Sequence, residues 1–265
     1  MLVYIVLPLT ILYCLILSRI LVKKTNSCTE CYIARSNITL FIWAAILFGL
    51  AAFKGIRVGT DYPMYYYFFD DVAYEGRVEL GISYIYQLAI INDSFLIFSS
   101  IIYFLIVTFL LLGIKKNCPN YLIGILFLVL TYVYFTSFNQ LRQMLAVSLV
   151  FYGITLIISK KKNNKLKFIF IIAIALMFHN SAIFAFIFLL IPKVKYKPRI
   201  VIPLFLTTIA LYFIPDVKNF IGLQVVKLSG VYAQKYANNL DYFFSINKEK
   251  GIIQLIPVLV QMIIV

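Results

Sequence analysis

Long apolar runs that alternate with short basic loops form the dominant pattern along this chain. Most of the runs come close to the roughly 20 residues that an α-helix needs to cross a bilayer. They lie at 2–22, 38–53, 94–114, 119–138, 141–159, 168–191, 200–214 and 251–265. The first is too long for the apolar part of a signal peptide, so we interpret it as a retained span. The pattern predicts an all-α, polytopic transmembrane bundle of about seven spans.

The same pattern predicts one integral membrane domain over residues 1–265. Two longer polar stretches, 55–93 and 215–250, interrupt the apolar runs, and we expect both to lie outside the cell. The last run, 251–265, is short and has no flanking charge. We therefore expect the chain to stop inside a span.

Composition and charge support a membrane protein. Of the 265 residues, 63% are hydrophobic and 13% are charged, which is about half the charged fraction of a typical soluble domain. Four loops, at 19–37, 115–116, 160–167 and 192–199, hold 15 of the 24 Lys and Arg residues but one of the ten acidic residues. Because cytoplasmic loops carry the excess of basic residues, these loops are predicted inside and the N-terminus outside. This distribution accounts for the net charge of +14 without a nucleic-acid partner.

The segment 168–191 conflicts with this orientation, because the loops on both sides of it are basic. A single span would place one of those loops outside. A re-entrant hairpin that turns near His179 and Asn180 would keep both inside, with arms of about 12 residues that are too short to cross. One ordinary span with a weak topology signal is the alternative, and the sequence does not decide between them.

No cofactor or metal motif is visible. The chain lacks the phosphate-binding, dinucleotide, zinc-protease and serine-hydrolase signatures. Cys28 and Cys31 form a single CxxC pair, without the second pair that a zinc site needs. We therefore expect no cofactor and no metal, so any chemistry must come from side chains.

The first group of candidate residues opens the polar stretch 55–93. Gly59 allows a tight turn, and Arg57 and Asp61 flank it. Asp61 could be a helix N-cap or a catalytic carboxylate that faces a sugar hydroxyl, and Arg57 could hold a phosphate. Tyr62 and Tyr65 could stack on sugar rings, or belong to an interfacial aromatic belt.

Glu79 begins the apolar segment 80–91. It could simply favour the dipole of a helix that starts there. It could equally be a catalytic carboxylate. Both interpretations remain open from the sequence.

A second polar group lies near the start of the run 141–159. Asn139, Arg142 and Gln143 have the spacing i, i+3, i+4, so they are predicted to share one helix face. Arg142 could snorkel to the interface or pair with an acidic loop residue. It could also grip a diphosphate with its planar guanidinium.

His179 is the single histidine of the chain, and it lies beside Asn180 and Ser181. It could be a satisfied core residue, a donor to a phosphate oxygen, or a base. In the stretch 215–250, Tyr232 and Lys235 are candidates for a lid over a polar substrate. An ordinary solvated loop is the alternative there.

These motifs, taken in order, resemble the EpsG/Wzy-type bacterial polysaccharide polymerases. The resemblance is carried by Arg-x-Gly-Thr-Asp-Tyr at 57–62 with Tyr65, Glu79-x-Gly81, Leu-Arg-Gln at 141–143, and Phe-His-Asn-Ser-Ala at 178–182. It implies a GT-C-like fold and an enzyme in the bacterial cell membrane. Such an enzyme joins undecaprenyl-diphosphate-linked oligosaccharide units into exopolysaccharide, capsule or O-antigen on the outer face. A chain-length regulator is a further candidate partner.

The resemblance leads to a hypothesis about roles. Arg57 and Arg142 would neutralise the leaving diphosphate, His179 would assist there, and Asp61 or Glu79 would take the proton from the acceptor hydroxyl. A lipid-linked oligosaccharide flippase and a membrane O-acyltransferase are the alternatives from other functional classes. A non-catalytic assembly subunit is a third, and it would tolerate alanine at Arg142 and His179.

Overall fold

The computed structural model describes residues 2–25, 36–159 and 163–190, together with a few single residues beyond 198. The chain divides into two compact units, residues 1–192 and 193–265, and nearly all the described residues belong to the first. In the described part of the first unit, all regular secondary structure is helical. The prediction of an all-α protein is confirmed for that part of the chain.

Nine α-helices and one long 3-10 helix make up the described part of the first unit. They are α1 (Leu2–Thr25), α2 (Asn37–Ala52), α3 (Tyr62–Asp70), α4 (Leu80–Ile91), α5 (Phe95–Asn117), α6 (Tyr121–Leu130), α7 (Val133–Thr136), α8 (Leu141–Ile158), α9 (Asn164–Leu176) and the 3-10 helix Asn180–Leu189. Two of them, α5 and α8, are long and apolar enough to cross a membrane by length and composition. Within the described residues, shorter apolar helical stretches lie at Val3–Leu17 in α1, Asn37–Ala52, Leu80–Ile91, Tyr121–Leu130 and Asn180–Leu189.

The centre of this unit is α5, which packs against α2, α4, α6 and α8. Its side chains Phe98, Ile102 and Ile106 are fully buried. On one side α8 also packs against α9, and on another α1 packs against α6. The buried apolar stripe of α5 therefore forms the core around which the polar loops are arranged.

The run 119–138, predicted as one span, is not one continuous helix, because the helix breaks in its middle. α6 ends at Leu130, and Tyr132 has the left-handed backbone (φ 67°) that starts the short α7. The Thr131 hydroxyl donates to Phe127 O at 2.7 Å, which satisfies a carbonyl at the break. The Tyr134 hydroxyl donates to Leu47 O at 2.7 Å and ties α7 to α2.

The segment 164–189 folds back on itself, as the hairpin interpretation required. α9 ends at Leu176, and the 3-10 helix that follows packs back against α9. Phe168, Ile172 and Ala185 lie in one apolar cluster with Ile157 of α8. A straight helix would separate Ile172 from Ala185 by roughly 20 Å. The turn between the two arms holds His179.

Three of the predicted segments lie largely outside the described residues. They are the run 200–214, the polar stretch 215–250 and the last run 251–265. The expectations for them remain predictions.

Candidate functional site

A tight turn after α2 carries the first candidate residues and contacts the start of α8. The backbone N–H of Thr60 donates to Asn139 Oδ1 at 2.7 Å. Gly59 has φ +106°, and a Cβ there would lie 2.6 Å from Phe138 O and 2.6 Å from Asn139 Oδ1. Glycine is therefore required here both by the backbone angle and by the closeness of the neighbouring chain.

Three charged or polar side chains meet at one point from distant parts of the sequence. Arg142 Nη1 donates to Glu79 Oε2 at 2.7 Å, and His179 Nδ1 lies 3.1 Å from Glu79 Oε1. The two carboxylate oxygens thus have separate partners. The side chains of Glu79 and Arg142 are 8% and 11% exposed, whereas that of His179 is 21% exposed.

Local backbone structure explains why these three side chains converge. Glu79 is the extended residue at the start of α4, and its side chain makes no capping hydrogen bond with that helix, so both carboxylate oxygens can turn toward other partners. His179 is extended as well, between α9 and the 3-10 helix. Arg142 lies in the first turn of α8, against which α9 packs.

Gly81 fixes the distance between the Glu79 and His179 segments. Its backbone N–H donates to Met177 O at 2.8 Å. A Cβ at Gly81 would lie 2.9 Å from that oxygen and 2.8 Å from the Phe178 ring. A side chain at this position would push apart the two segments that bring Glu79 and His179 together.

The electrostatic balance at the site keeps Glu79 ionised. Burial opposes ionisation of this carboxyl, but the hydrogen bond with His179 and the positive charge of Arg142 outweigh it, so the pKa of Glu79 lies below its ordinary value. A carboxylate held in this way acts as an acceptor. With a proton on Nδ1 facing Glu79, the neutral imidazole of His179 presents an unprotonated Nε2.

Tyr65 is a buried partner of Arg142. Its side chain is 3% exposed, and burial raises the pKa of its phenol against the opposing influence of a hydrogen bond with Arg142. The phenol therefore stays protonated and acts as a neutral partner of the guanidinium. The predicted stacking of this ring on a sugar does not fit its burial, and the structure gives Tyr65 a supporting position instead.

Tyr62 is also a packing residue, which corrects the prediction that its ring contacts sugar. Only 2% of it is exposed, and its hydroxyl lies 2.7 Å from Ser99 Oγ on α5. Helical spacing places this ring on the buried side of α3, together with Tyr65 and Phe68. Its ring face is covered by Lys54.

Arg57 and Asp61 are both exposed in the turn. Asp61 precedes α3 but makes no side-chain capping bond; its Oδ1 accepts a bond from the Thr60 hydroxyl at 3.2 Å. The N-cap interpretation of Asp61 is therefore not supported. Both side chains lie on the accessible side of the turn that Asn139 holds.

The predicted common helix face of Asn139, Arg142 and Gln143 is wrong. α8 begins at Leu141, so Asn139 lies before the helix, in the turn where it accepts from Thr60. Gln143 is exposed, whereas Arg142 is partly buried. The side chain of Asn139 holds the turn, whereas Arg142 donates to Glu79.

Sequence reasoning missed Lys54, which lies partly buried at the end of α2. The sequence did contain a signal that Lys54 is unusual. In the predicted orientation Lys54 follows a span at its outer end, where the positive-inside rule disfavours lysine. The candidates Tyr232 and Lys235 lie outside the described residues and remain predictions.

Comparison with protein families gives one clear result. The model of the EpsG family matches residues 37–265. The chain belongs to the EpsG family. The match includes all the candidate site residues, while α1 lies before it. With the apolar helices, membership identifies this chain as a membrane protein with a role related to polysaccharide polymerisation. The curated proteins and the solved structures contain no match.

Proposed function

We propose that this EpsG-family chain polymerises lipid-diphosphate-linked oligosaccharide units on the outer face of the cell membrane. The observation that carries the proposal is the convergence of Arg142, Glu79 and His179 at one partly exposed point of an apolar protein. Charged groups within membrane proteins are costly, and they generally mark a functional site. The undecaprenyl carrier remains an expectation from the family resemblance.

The proposed reaction is a glycosyl transfer. An acceptor sugar hydroxyl attacks the anomeric carbon of the donor, a new carbon–oxygen bond forms, and the bond from that carbon to the diphosphate oxygen breaks. The hydroxyl proton goes to a base on the protein, and the lipid diphosphate leaves with the bonding electrons. A single displacement of this kind inverts the anomeric centre.

His179 is the base that the geometry favours. Its Nδ1 is directed to Glu79, so Nε2 is available to accept the acceptor proton. Glu79 is less suited to that task, because its two oxygens are occupied by His179 and Arg142 and because its lowered pKa makes it a weak base. Asp61, in the exposed turn, is the alternative base.

Arg142 and Arg57 are proposed to bind the diphosphate. The negative charge on the leaving group grows as the glycosidic bond breaks, and a positioned guanidinium stabilises that charge. Arg142 is held by Glu79, and Arg57 lies in the exposed turn that Asn139 fixes against the start of α8. The exposed side chain of Gln143 is a candidate sugar contact, and Asn139 supports the turn.

The test is a deletion of the gene in its host, followed by gel analysis of lipid-linked and surface glycans. Single repeat units outside the cell without a ladder are expected, and the wild-type chain should restore the ladder. Repeat units retained on the cytoplasmic side would instead indicate a flippase. A normal ladder that lacks only acyl groups would indicate an acyltransferase.

A further inference from the structure

Arg77 is a basic residue beside the candidate site that the proposed reaction does not use. Its backbone carbonyl oxygen lies 3.5 Å from Arg142 Nη1. Its own backbone N–H donates to Tyr74 O at 3.0 Å, which fixes this part of the chain as a tight turn. The side chain of Arg77 is exposed. The backbone is therefore held against Arg142 while the second guanidinium is open to solvent.

The guanidiniums of Arg77 and Arg142 are supported by neighbouring rings of α3. Arg77 Cζ lies 5.8 Å from the ring centroid of Phe68, within the range in which a ring face attracts a cation. Tyr65 is the buried hydrogen-bond partner of Arg142. Phe68 and Tyr65 are three residues apart on the buried side of α3, so their Cβ atoms are about 5–6 Å apart. One helix face therefore supports the two guanidiniums side by side.

The charges at the site favour a role for Arg77 in binding an anion. Arg142 is paired with Glu79 at 2.7 Å, so much of its positive charge is compensated before any substrate binds. Within the described residues, no carboxylate lies within ion-pair distance of the Arg77 guanidinium. A lipid-linked diphosphate is negative at both phosphates and becomes more so as the glycosidic bond breaks. The uncompensated charge of Arg77 is suited to that ligand.

We propose that Arg77 is a further diphosphate-binding residue, which acts beside Arg142 so that each phosphate of the sugar donor takes one guanidinium. The planar fork of an arginine can bind one phosphate through two N–H groups. A lipid monophosphate offers a ligand to one of the two arginines only. Arg77 therefore makes the site selective for a lipid diphosphate. This inference rests on the proposed function, which supplies the diphosphate donor.

Binding of short lipid probes to the purified full chain tests the inference. The probes are farnesyl diphosphate, farnesyl phosphate and inorganic diphosphate, and their affinities are measured by isothermal titration calorimetry. The wild type should bind farnesyl diphosphate most tightly. Arg77→Gln should lose about tenfold or more in affinity for farnesyl diphosphate, as expected for one lost hydrogen-bonded charge. Its affinity for farnesyl phosphate should change little.

Two further variants separate a phosphate contact from a general effect of charge. Arg77→Lys keeps the positive charge without the planar fork, so its affinity for farnesyl diphosphate should be intermediate. Lys165→Gln removes an exposed positive charge at the start of α9, the opposite end of that helix from His179. It should bind like the wild type. Because Arg77 is exposed, the unfolding temperature of Arg77→Gln should match that of the wild type.

Three binding results would overturn the inference. The first is wild-type affinity for farnesyl diphosphate in Arg77→Gln. The second is an equal loss for farnesyl phosphate in that variant, or an equal loss in Lys165→Gln, which would show a general effect of surface charge. The third is Arg77-dependent binding of inorganic diphosphate that is as tight as that of farnesyl diphosphate, which would assign the site to a soluble diphosphate and not to a lipid.

The effect on polymerisation is measured in the deletion host. Arg77→Gln should give a ladder several-fold weaker than that of the wild type at equal amounts in the membrane. A full ladder from Arg77→Gln would overturn the role of Arg77 in the reaction. If the wild-type chain itself restores no ladder, the proposed function fails, and the probe affinities still decide whether Arg77 binds a diphosphate.

Discussion

Glu79 and His179 are 100 residues apart in the sequence, yet Glu79 Oε1 and His179 Nδ1 are 3.1 Å apart. The contact depends on the hairpin between α9 and the 3-10 helix, which places His179 at its turn. It also depends on Glu79 being extended and not used as a helix cap. The pair can therefore orient the imidazole toward a substrate, in the way that a carboxylate orients a histidine base in other enzymes.

Replacement of Glu79 by glutamine tests whether this carboxylate is needed as a charge. Glu79→Gln keeps the size of the side chain but removes the charge that Arg142 and His179 share. Loss of one partner from a buried ion pair costs about 3 kcal/mol or more, and the polymer ladder should be lost. Thermal unfolding of the purified chain and the ladder in the deletion host measure the two effects. A stable variant with a normal ladder would contradict the role of Glu79.

The same variant predicts a change in acid sensitivity. Because the pKa of Glu79 is lower in the folded chain than its ordinary value of 4.5, its stabilising contribution is fully present above that value. It is lost as the pH falls further, through the folded pKa. The unfolding temperature of the wild type should therefore drop more steeply below about pH 4.5 than that of Glu79→Gln. Parallel curves for the two chains would show that Glu79 does not make this contribution.

Arg142→Lys tests the requirement for a guanidinium at this position. Lysine keeps the positive charge but is a point donor, so it cannot hold Glu79 and a diphosphate in the same geometry. Loss of one well-placed donor to a developing charge typically costs about 100-fold in rate. We expect a loss of that order in the polymer ladder with normal membrane insertion, measured by immunoblot of the membrane fraction. A polymer ladder of unchanged length and amount would show that Arg142 is not part of the site.

Gly81→Ala tests the spacing between the two segments that carry Glu79 and His179. The added Cβ would meet Met177 O and the Phe178 ring, so the two segments must move apart. An error of about 1 Å in a catalytic geometry can cost about 100-fold in rate. Gly49→Ala is the matched control, because a Cβ at Gly49 has no atom within 4 Å. Equal ladders from the two variants would mean that this spacing is not critical.

The sequence predicts the helical class and several helix boundaries well, because apolar runs of span length leave few alternatives. The start of α8 at Leu141 and that of α5 at Phe95 both lie within one residue of the prediction. The broken helix at 119–138 could not be predicted in this way. Its apolar run is continuous, and the break depends on contacts of Tyr134 with a distant helix.

The candidate site shows the same division between local and tertiary information. Arg142, Glu79 and His179 are recognisable as polar residues in apolar surroundings, and the structure brings them together. The burial of Tyr62 and Tyr65 is not readable from an aromatic run, because such a run does not show which of its residues, spaced three apart on one helix face, will be buried. The place of Lys54 among three rings depends on tertiary packing alone.

Tyr62→Phe separates packing from sugar binding at this position. Phenylalanine keeps the buried ring that Lys54 covers and removes the hydroxyl that lies 2.7 Å from Ser99 Oγ. Loss of this hydrogen bond should lower the stability by about 1 kcal/mol. The ladder should be unchanged, because the ring is 2% exposed and cannot reach a sugar. Thermal unfolding and the ladder are measured on the same preparation, with Tyr67→Phe as a control on the exposed side of α3. A shortened ladder from a fully stable variant would mean that Tyr62 contacts the substrate, because the loss of a packing role alone would also lower the stability.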